Sequence, residues 1–162
     1  MDDLDRVVNS LRKINSGEVE LRELGILRDS KELTTHLGEW IGEKLLNAER
    51  AKSSSQKGWD LITPSGERIQ VRTERKDKNN PFRDSFSVAE NELSLADSFL
   101  FISFDTDRSV RHIYYISSKE ISKVGSLKKD KNSGEIRFEL FLPVLQTYEI
   151  KDNPVIDRFK KI

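Results

Sequence analysis

Apolar residues along this chain switch between two spacings. Leu4, Val7, Val8, Leu11 and Ile14 recur every three to four positions, the period of a helix with one apolar face, and Gly17 follows as its stop. Leu21, Leu24, Ile26 and Leu27, interrupted by Gly25, predict a short second helical turn whose residues pack, with Asp29 to Lys31 as a connector. The strongest helical pattern is Leu33, Leu37, Trp40, Ile41, Leu45 and Ala48, which predicts a helix from Leu33 to Arg50. After a polar link, Ala51 to Lys57, the spacing changes to that of strands.

The segment WDLIT, Trp59 to Thr63, is an apolar strand carrying one acid. Thr63-Pro64-Ser65-Gly66 has Pro and Gly where a β-turn uses them, so the next strand, Arg68 to Arg75, returns antiparallel. Beyond a polar break at Lys76 to Arg83, Ser85 to Asp97 reads as a short strand and a short helix around Glu90 to Leu95. Phe99 to Phe104 is a continuous apolar run bounded by Asp residues, the mark of a buried central strand. Ile113 to Ile116 is its expected neighbour. Ser117 and Ser118 cap a short helix to about Val124, Ile136 to Leu142 is the last strand, and the tail from Asp152 is helical or frayed.

Composition narrows the classes. A chain of 162 residues is the size of one domain, and 28 basic residues against 28 acidic ones argue against polyanion binding through bulk charge. Any nucleic-acid contact must come from a local patch. With no cysteine, disulfides, thiolate zinc sites and cysteine nucleophiles are all excluded. His36 and His112 lack ligand spacing, and His36 near a helix start is expected to be a surface or cap residue. The first residues are too acidic for a signal peptide and no run reaches membrane-span length, so a soluble, cytoplasmic protein is expected. No phosphate-binding glycine loop or G-x-S-x-G elbow is present.

The candidate chemistry lies in the two strands around the turn. Alternation sets Gln70, Arg72 and Glu74 on one face and Ile69, Val71 and Thr73 on the other. On the preceding strand Trp59 and Leu61 share a face, leaving Asp60 with Ile62 opposite. Antiparallel pairing brings Asp60, Gln70 and Arg72 together, and an acid within an apolar strand needs a partner or a metal. One reading has Asp60 ligating Mg²⁺, Gln70 or the Val71 carbonyl completing the shell, and Arg72 binding a phosphate. The other is a cross-strand ion pair between Asp60 and Arg72. Arg68, Arg75, Lys76 and Lys57 form a basic edge that either tracks a nucleic-acid backbone or is a solvated strand end. Lys123, Lys128, Lys129 and Lys131 form a second basic cluster in a polar loop. Trp40 and Trp59 read as core anchors.

The order of GEW on a helix (Gly38 to Trp40), KGWDLI (Lys57 to Ile62) and IQVRT (Ile69 to Thr73), with LRELGIL (Leu21 to Leu27) in front, resembles the PD-(D/E)XK nuclease superfamily, the restriction-endonuclease-like fold. The resemblance spans about Leu21 to Phe104. It implies a single α/β domain with a mixed central β-sheet flanked by helices in α-β-β-β-α-β order: an N-terminal helical extension over 1–30, a core over 31–117 and a C-terminal elaboration over 118–162. It assigns Asp60 to the metal-binding acid, Gln70 to the motif's second acid, Arg72 to its lysine, and Glu39 to the helical acid that such nucleases add to the metal shell. Helical-wheel arithmetic also sets Glu39 with Glu43 opposite the apolar arc, where a solvated face explains both. The implied activity is a DNA endonuclease using Mg²⁺ or Mn²⁺, as a restriction or defence component, with a homodimer or a separate specificity subunit as partner. Gln70 keeps an oxygen ligand but adds no charge. Arg72 stays charged and cannot serve as a base, although a guanidinium can clamp a phosphate. The alternative is an inactive nuclease-fold module that binds nucleic acid or a protein partner.

Overall fold

A computed structural model describes residues 3–28, 32–52, 58–76 and 85–160. Helix α1 (Asp3–Glu23) runs straight through Gly17. Its stop is Gly25, whose positive φ of 69° lets the amides of Gly25 and Ile26 turn back onto the carbonyls of Arg22 and Leu21. Val7, Val8, Leu11 and Ile14 remain exposed on α1, so the first periodic stripe is not core; of the next group Leu24 is exposed, while Ile26 and Leu27 are buried.

Helix α2 (Leu33–Leu46) is capped by Glu32, whose carboxylate accepts from the Thr34 amide, and ends at Asn47 in the left-handed conformation, φ 49°. That cap cuts the expected helix short and frees Glu49–Arg50 to form β1, which pairs antiparallel with β2 (Leu61–Ile62). The turn behaves as its sequence predicts, with the Gly66 amide donating to the Thr63 carbonyl at 2.9 Å and φ +87° at Gly66. It returns the chain antiparallel into β3 (Arg68–Arg75).

From β3 the chain crosses through β4 (Ser85–Ala89) and a five-residue 3-10 helix, Glu90–Ser94, into the fully buried β5 (Ser98–Phe104), which lies parallel to β3. Strand β6 (Val110–Ser117) pairs antiparallel with β5. Helix α3 (Ser118–Val124), capped by Ser117, is followed by β7 (Ser126–Lys129) and β8 (Ile136–Phe141). Short helices α4 (Leu142–Leu145) and α5 (Pro154–Phe159) close the chain. Lys128 and Lys129 are therefore on a strand rather than in the expected loop, because β7 finds a partner in β8.

Among the described residues the strands form two sheets, a mixed one ordered β1-β2-β3-β5-β6 and an antiparallel one ordered β4-β8-β7. The expected single central sheet is thus divided. Alternation along β5 explains why: Leu100, Ile102 and Phe104 join the cluster beneath α2, and Phe99 and Phe101 join the cluster shared with Phe86, Val88, Phe138 and Leu140 of the second sheet. Both faces of β5 are covered, which its uninterrupted apolar sequence required. Between β3 and β5, where a helix is expected, the described residues hold β4 and the five-residue 3-10 turn. No described helix is long and apolar enough to cross a membrane.

Candidate functional site

Helix α2 lies unusually close to the sheet. A Cβ on Gly38 would sit 2.2 Å from the Thr73 methyl, and one on Gly42 would sit 2.7 and 2.8 Å from Leu61 and Leu100. Glu39 follows Gly38, whose α-carbon faces Thr73 and Val71 of β3. It is 7 % exposed, which rules out the solvated-face reading of Glu39, and His36 is fully buried rather than at the surface or cap expected of it. The helix is covered on more than its sheet face: Trp40 packs edge-on against Phe159 of α5, 5.9 Å between ring centres. Glu43 alone of the two acids stays half-buried, bonded to Arg50 Nε at 2.8 Å and to Lys44. Burial raises the Glu43 carboxyl, but the Lys44 hydrogen bond and the Arg50 charge outweigh it and hold the group below its ordinary value.

Asp60 sits where β2 departs from β3. Backbone pairing between these strands is made at Leu61 with Ile69 and Ile62 with Arg68, and continues as the Asp60 amide donating to the Ile69 carbonyl. One step further along β3, the Val71 amide is met by the Asp60 carboxylate itself, Oδ2, at 2.8 Å. The side chain thus replaces the missing strand. Within a strand the N–H and C=O of one residue point to the same side, so the Val71 carbonyl faces the Asp60 edge too. Gly58 allows the approach: with φ +94°, its α-carbon lies so close to Leu95 that a Cβ would fall 2.5 Å from the Leu95 Cβ. The strand lead-in is therefore pressed against the end of the 3-10 helix. Trp59 follows it, packing into the second cluster while Leu61 enters the first, so these two do not share a face.

Gln70, Arg72 and Glu74 alternate with the buried Ile69 and Val71 as expected. The ion pair that Arg72 forms runs from Nη2 to Glu92 Oε1 on the 3-10 helix, and the other Glu92 oxygen accepts from the Ala89 amide at 2.9 Å. Arg72 Nε is buried and finds no acceptor among the described residues. Glu74 was foreseeable from alternation. Glu92 was not: the short strand and helix over Ser85 to Asp97 are legible, but nothing local shows that this turn brings Glu92 to Arg72, 20 residues away.

The basic edge is more divided than its sequence suggests. Arg68 grips Asp97 with Nε and Nη2 at 3.1 and 3.0 Å, a contact that holds the Asp97 carboxyl below and the Arg68 guanidinium above their ordinary values. Arg75 is exposed, and Lys76 lies 3.9 Å from Asp105. The β3–β5 register is unbroken from Ile69 to Arg75, and the Lys76 amide continues it onto the Phe104 carbonyl, so Lys76 keeps the parity of Arg72. Four residues of strand separate them by ~13 Å. Lys57 lies outside the described residues. At the base of β3, Glu67 Oε1 accepts from both Tyr115 Oη and Ser98 Oγ at 2.6 Å. Burial first, and then the Glu67 carboxylate, push the Tyr115 hydroxyl up to about 12.

No group of three or more acidic or histidine side chains suited to a metal ion occurs among the described residues. The donors at the Asp60 edge are its carboxylate and the Val71 carbonyl, with Gln70 the adjoining residue on β3. That set suits Mg²⁺, which keeps several waters and is usually held by one or two carboxylates together with substrate phosphates. No known family's sequence profile matches this chain, and neither does any curated protein.

Proposed function

We propose that the chain is a metal-dependent DNA endonuclease with a restriction-endonuclease-like core, acting at the Asp60 edge of β3. The observation that carries this reading is the 2.8 Å bond from the Val71 amide to Asp60. It fixes a carboxylate beside the segment that carries Gln70 and Arg72, and on the edge toward which the Val71 carbonyl points. Asp60, with the Val71 carbonyl on the same edge and Gln70 beside it on β3, would hold Mg²⁺ or Mn²⁺; Glu39 is on α2, which packs over the Val71 and Thr73 face of β3, opposite that of Gln70 and Arg72. Bound at Asp60, the ion would supply Lewis-acid activation of water and charge neutralisation at the phosphate.

The chain's own part is to bind and orient. Arg72 presents a fixed positive charge, and its buried Nε donates to no acceptor among the described residues, so a phosphate oxygen fits it. As a guanidinium it takes no proton from the attacking water. Purified protein should therefore nick supercoiled plasmid with Mg²⁺ or Mn²⁺ and not with EDTA. Asp60→Asn, which keeps an acceptor for Val71, should lose that activity by about 10²-fold or more.

One observation favours a second reading, an inactive nuclease-fold module that binds nucleic acid or a protein partner. The Glu92 carboxylate neutralises Arg72, and Gln70 brings no charge to a metal. On this reading DNA is bound without turnover and without metal dependence, and plasmid stays intact under every condition.

A further inference from the structure

We infer that Glu92 is a built-in competitor for the anion site of Arg72, a carboxylate that a backbone phosphate of the nucleic acid must displace. The inference rests on reading the β3 edge as a phosphate site. Arg72 offers two parallel donors, Nε and Nη2, the fork that binds oxyanions side-on. Glu92 fills one prong, Nη2, because its other oxygen is turned to the Ala89 amide. The second prong, Nε, is buried and meets no acceptor among the described residues. A phosphate with two oxygens on the same side fills both, and so makes a bond that Glu92 does not.

Exchange is also physically open. The side chains of Arg72 and Glu92 keep 36 % and 28 % of their surface exposed, so the pair is reached by solvent and is not locked by desolvation. After release, Glu92 retains its bond to Ala89 and the 3-10 turn keeps its cap. Displacement therefore requires a side-chain movement, without rearrangement of either sheet. Until displaced, Glu92 both occupies Nη2 and repels an approaching polyanion.

The test compares wild type with Glu92→Gln, which keeps an amide oxygen for Ala89 and removes the charge. Glu90→Gln, an exposed acid on the same turn, controls for charge alone. Binding of a fluorescein-labelled DNA duplex is followed by anisotropy in EDTA across a salt series. Glu92→Gln should bind about tenfold tighter, with a salt slope steeper by about one phosphate contact, and Glu90→Gln should change little. In an Arg72→Gln background the gain should vanish. Independently, the rate at which phenylglyoxal modifies Arg72, mapped by mass spectrometry, should rise several-fold in Glu92→Gln and fall when millimolar pyrophosphate is added. Equal Arg72 reactivity in wild type and Glu92→Gln, or a gain that survives loss of Arg72, overturns the proposal. If no variant binds DNA while Glu92→Gln still exposes Arg72 to reagent and pyrophosphate protects it, the competitor stands and the nuclease reading falls.

Discussion

Two glycines on α2 should respond to alanine in the opposite sense to a glycine on α1. In a helix interior Gly→Ala ordinarily stabilises by about 1 kcal/mol, by restricting the unfolded chain and favouring the helix. At Gly42 the new methyl would lie 2.7 Å from Leu61 Cδ1 and 2.8 Å from Leu100 Cδ2, two fully buried side chains. At Gly38 it would lie 2.2 Å from Thr73 Cγ2, one bond from a stiff β-branched carbon on the central sheet. Overpacking of this kind costs about 1–3 kcal/mol, so the helix gain is cancelled and exceeded. The expected net loss is about 1–2 kcal/mol at Gly42 and more at Gly38, or a Tm lower by roughly 2–8 °C for a chain of this size. Gly17 has open space around it, and Gly17→Ala should increase helical circular dichroism without lowering Tm. Thermal and urea unfolding of the three variants decide the matter. A rise in Tm for Gly38→Ala and Gly42→Ala, matching the benign behaviour of Gly17→Ala, would falsify the close helix–sheet approach and with it the placement of Glu39.

Arg50 is 6 % exposed and joins three segments, bonding Glu43 and the carbonyls of Gly25 and Ile26; Arg50→Met should cost about 2–4 kcal/mol in urea unfolding, and a loss below about 0.5 kcal/mol would show the junction to be ornamental. Tyr115 is an acid whose folded pKa, about 12, exceeds its unfolded value of 10.0, so its stabilisation is complete below pH 10 and is lost as pH rises toward 12. The stability difference between wild type and Tyr115→Phe should accordingly shrink by about 1–2 kcal/mol over that window, allowing for partial exposure; parallel profiles would count against the Tyr115–Glu67 bond. Glu43 is shifted the other way, below the ordinary 4.5, so its contribution is present above that pH and disappears as pH falls through the lower folded value. Glu43→Gln should flatten the acid limb of the stability curve, and an unchanged limb would contradict the Arg50 contact.

How far the sequence leads depends on whether local or distant residues decide an element. The turn at Thr63 to Gly66, strand β3 and the fully buried β5 are set by local signals, namely turn chemistry, alternation and an unbroken apolar run, and each forms as its residues predict. Gly17 and Gly25 look alike as helix stops, yet only Gly25 is used, where the chain must reverse to bury Ile26 and Leu27. The stripe of Val7, Leu11 and Ile14 shows that amphipathic periodicity specifies a helix without specifying what covers it. The solvated-face reading of Glu39 and the surface expected of His36 fail for a related reason: a helical wheel, like a position near a helix start, does not show that α2 is packed on more than one face. At the site, the proximity of Asp60 to β3 follows from hairpin register and is readable. The Arg72–Glu92 pair depends on where the predicted strand and turn over Ser85 to Asp97 go, into a second sheet with β8, and that long-range pairing has no local signal.

Asp60 separates what the fold needs from what a reaction needs. The fold needs an acceptor for the Val71 amide where β2 leaves the sheet, and an unsatisfied buried amide costs about 1–3 kcal/mol. Asparagine has the same shape and supplies that acceptor with no charge to desolvate at a half-buried strand edge. If the carboxylate serves only the backbone, Asn is an adequate replacement and neither stability nor any activity should distinguish the two. If the charge serves a metal, the two properties part: Asp60→Asn should equal or exceed wild type in urea unfolding while cleavage is lost, and Asp60→Ala should lose both cleavage and about 1–3 kcal/mol of stability. A large stability loss in Asp60→Asn would instead mean that the negative charge itself holds the hairpin, and the acid could then be explained without any ligand.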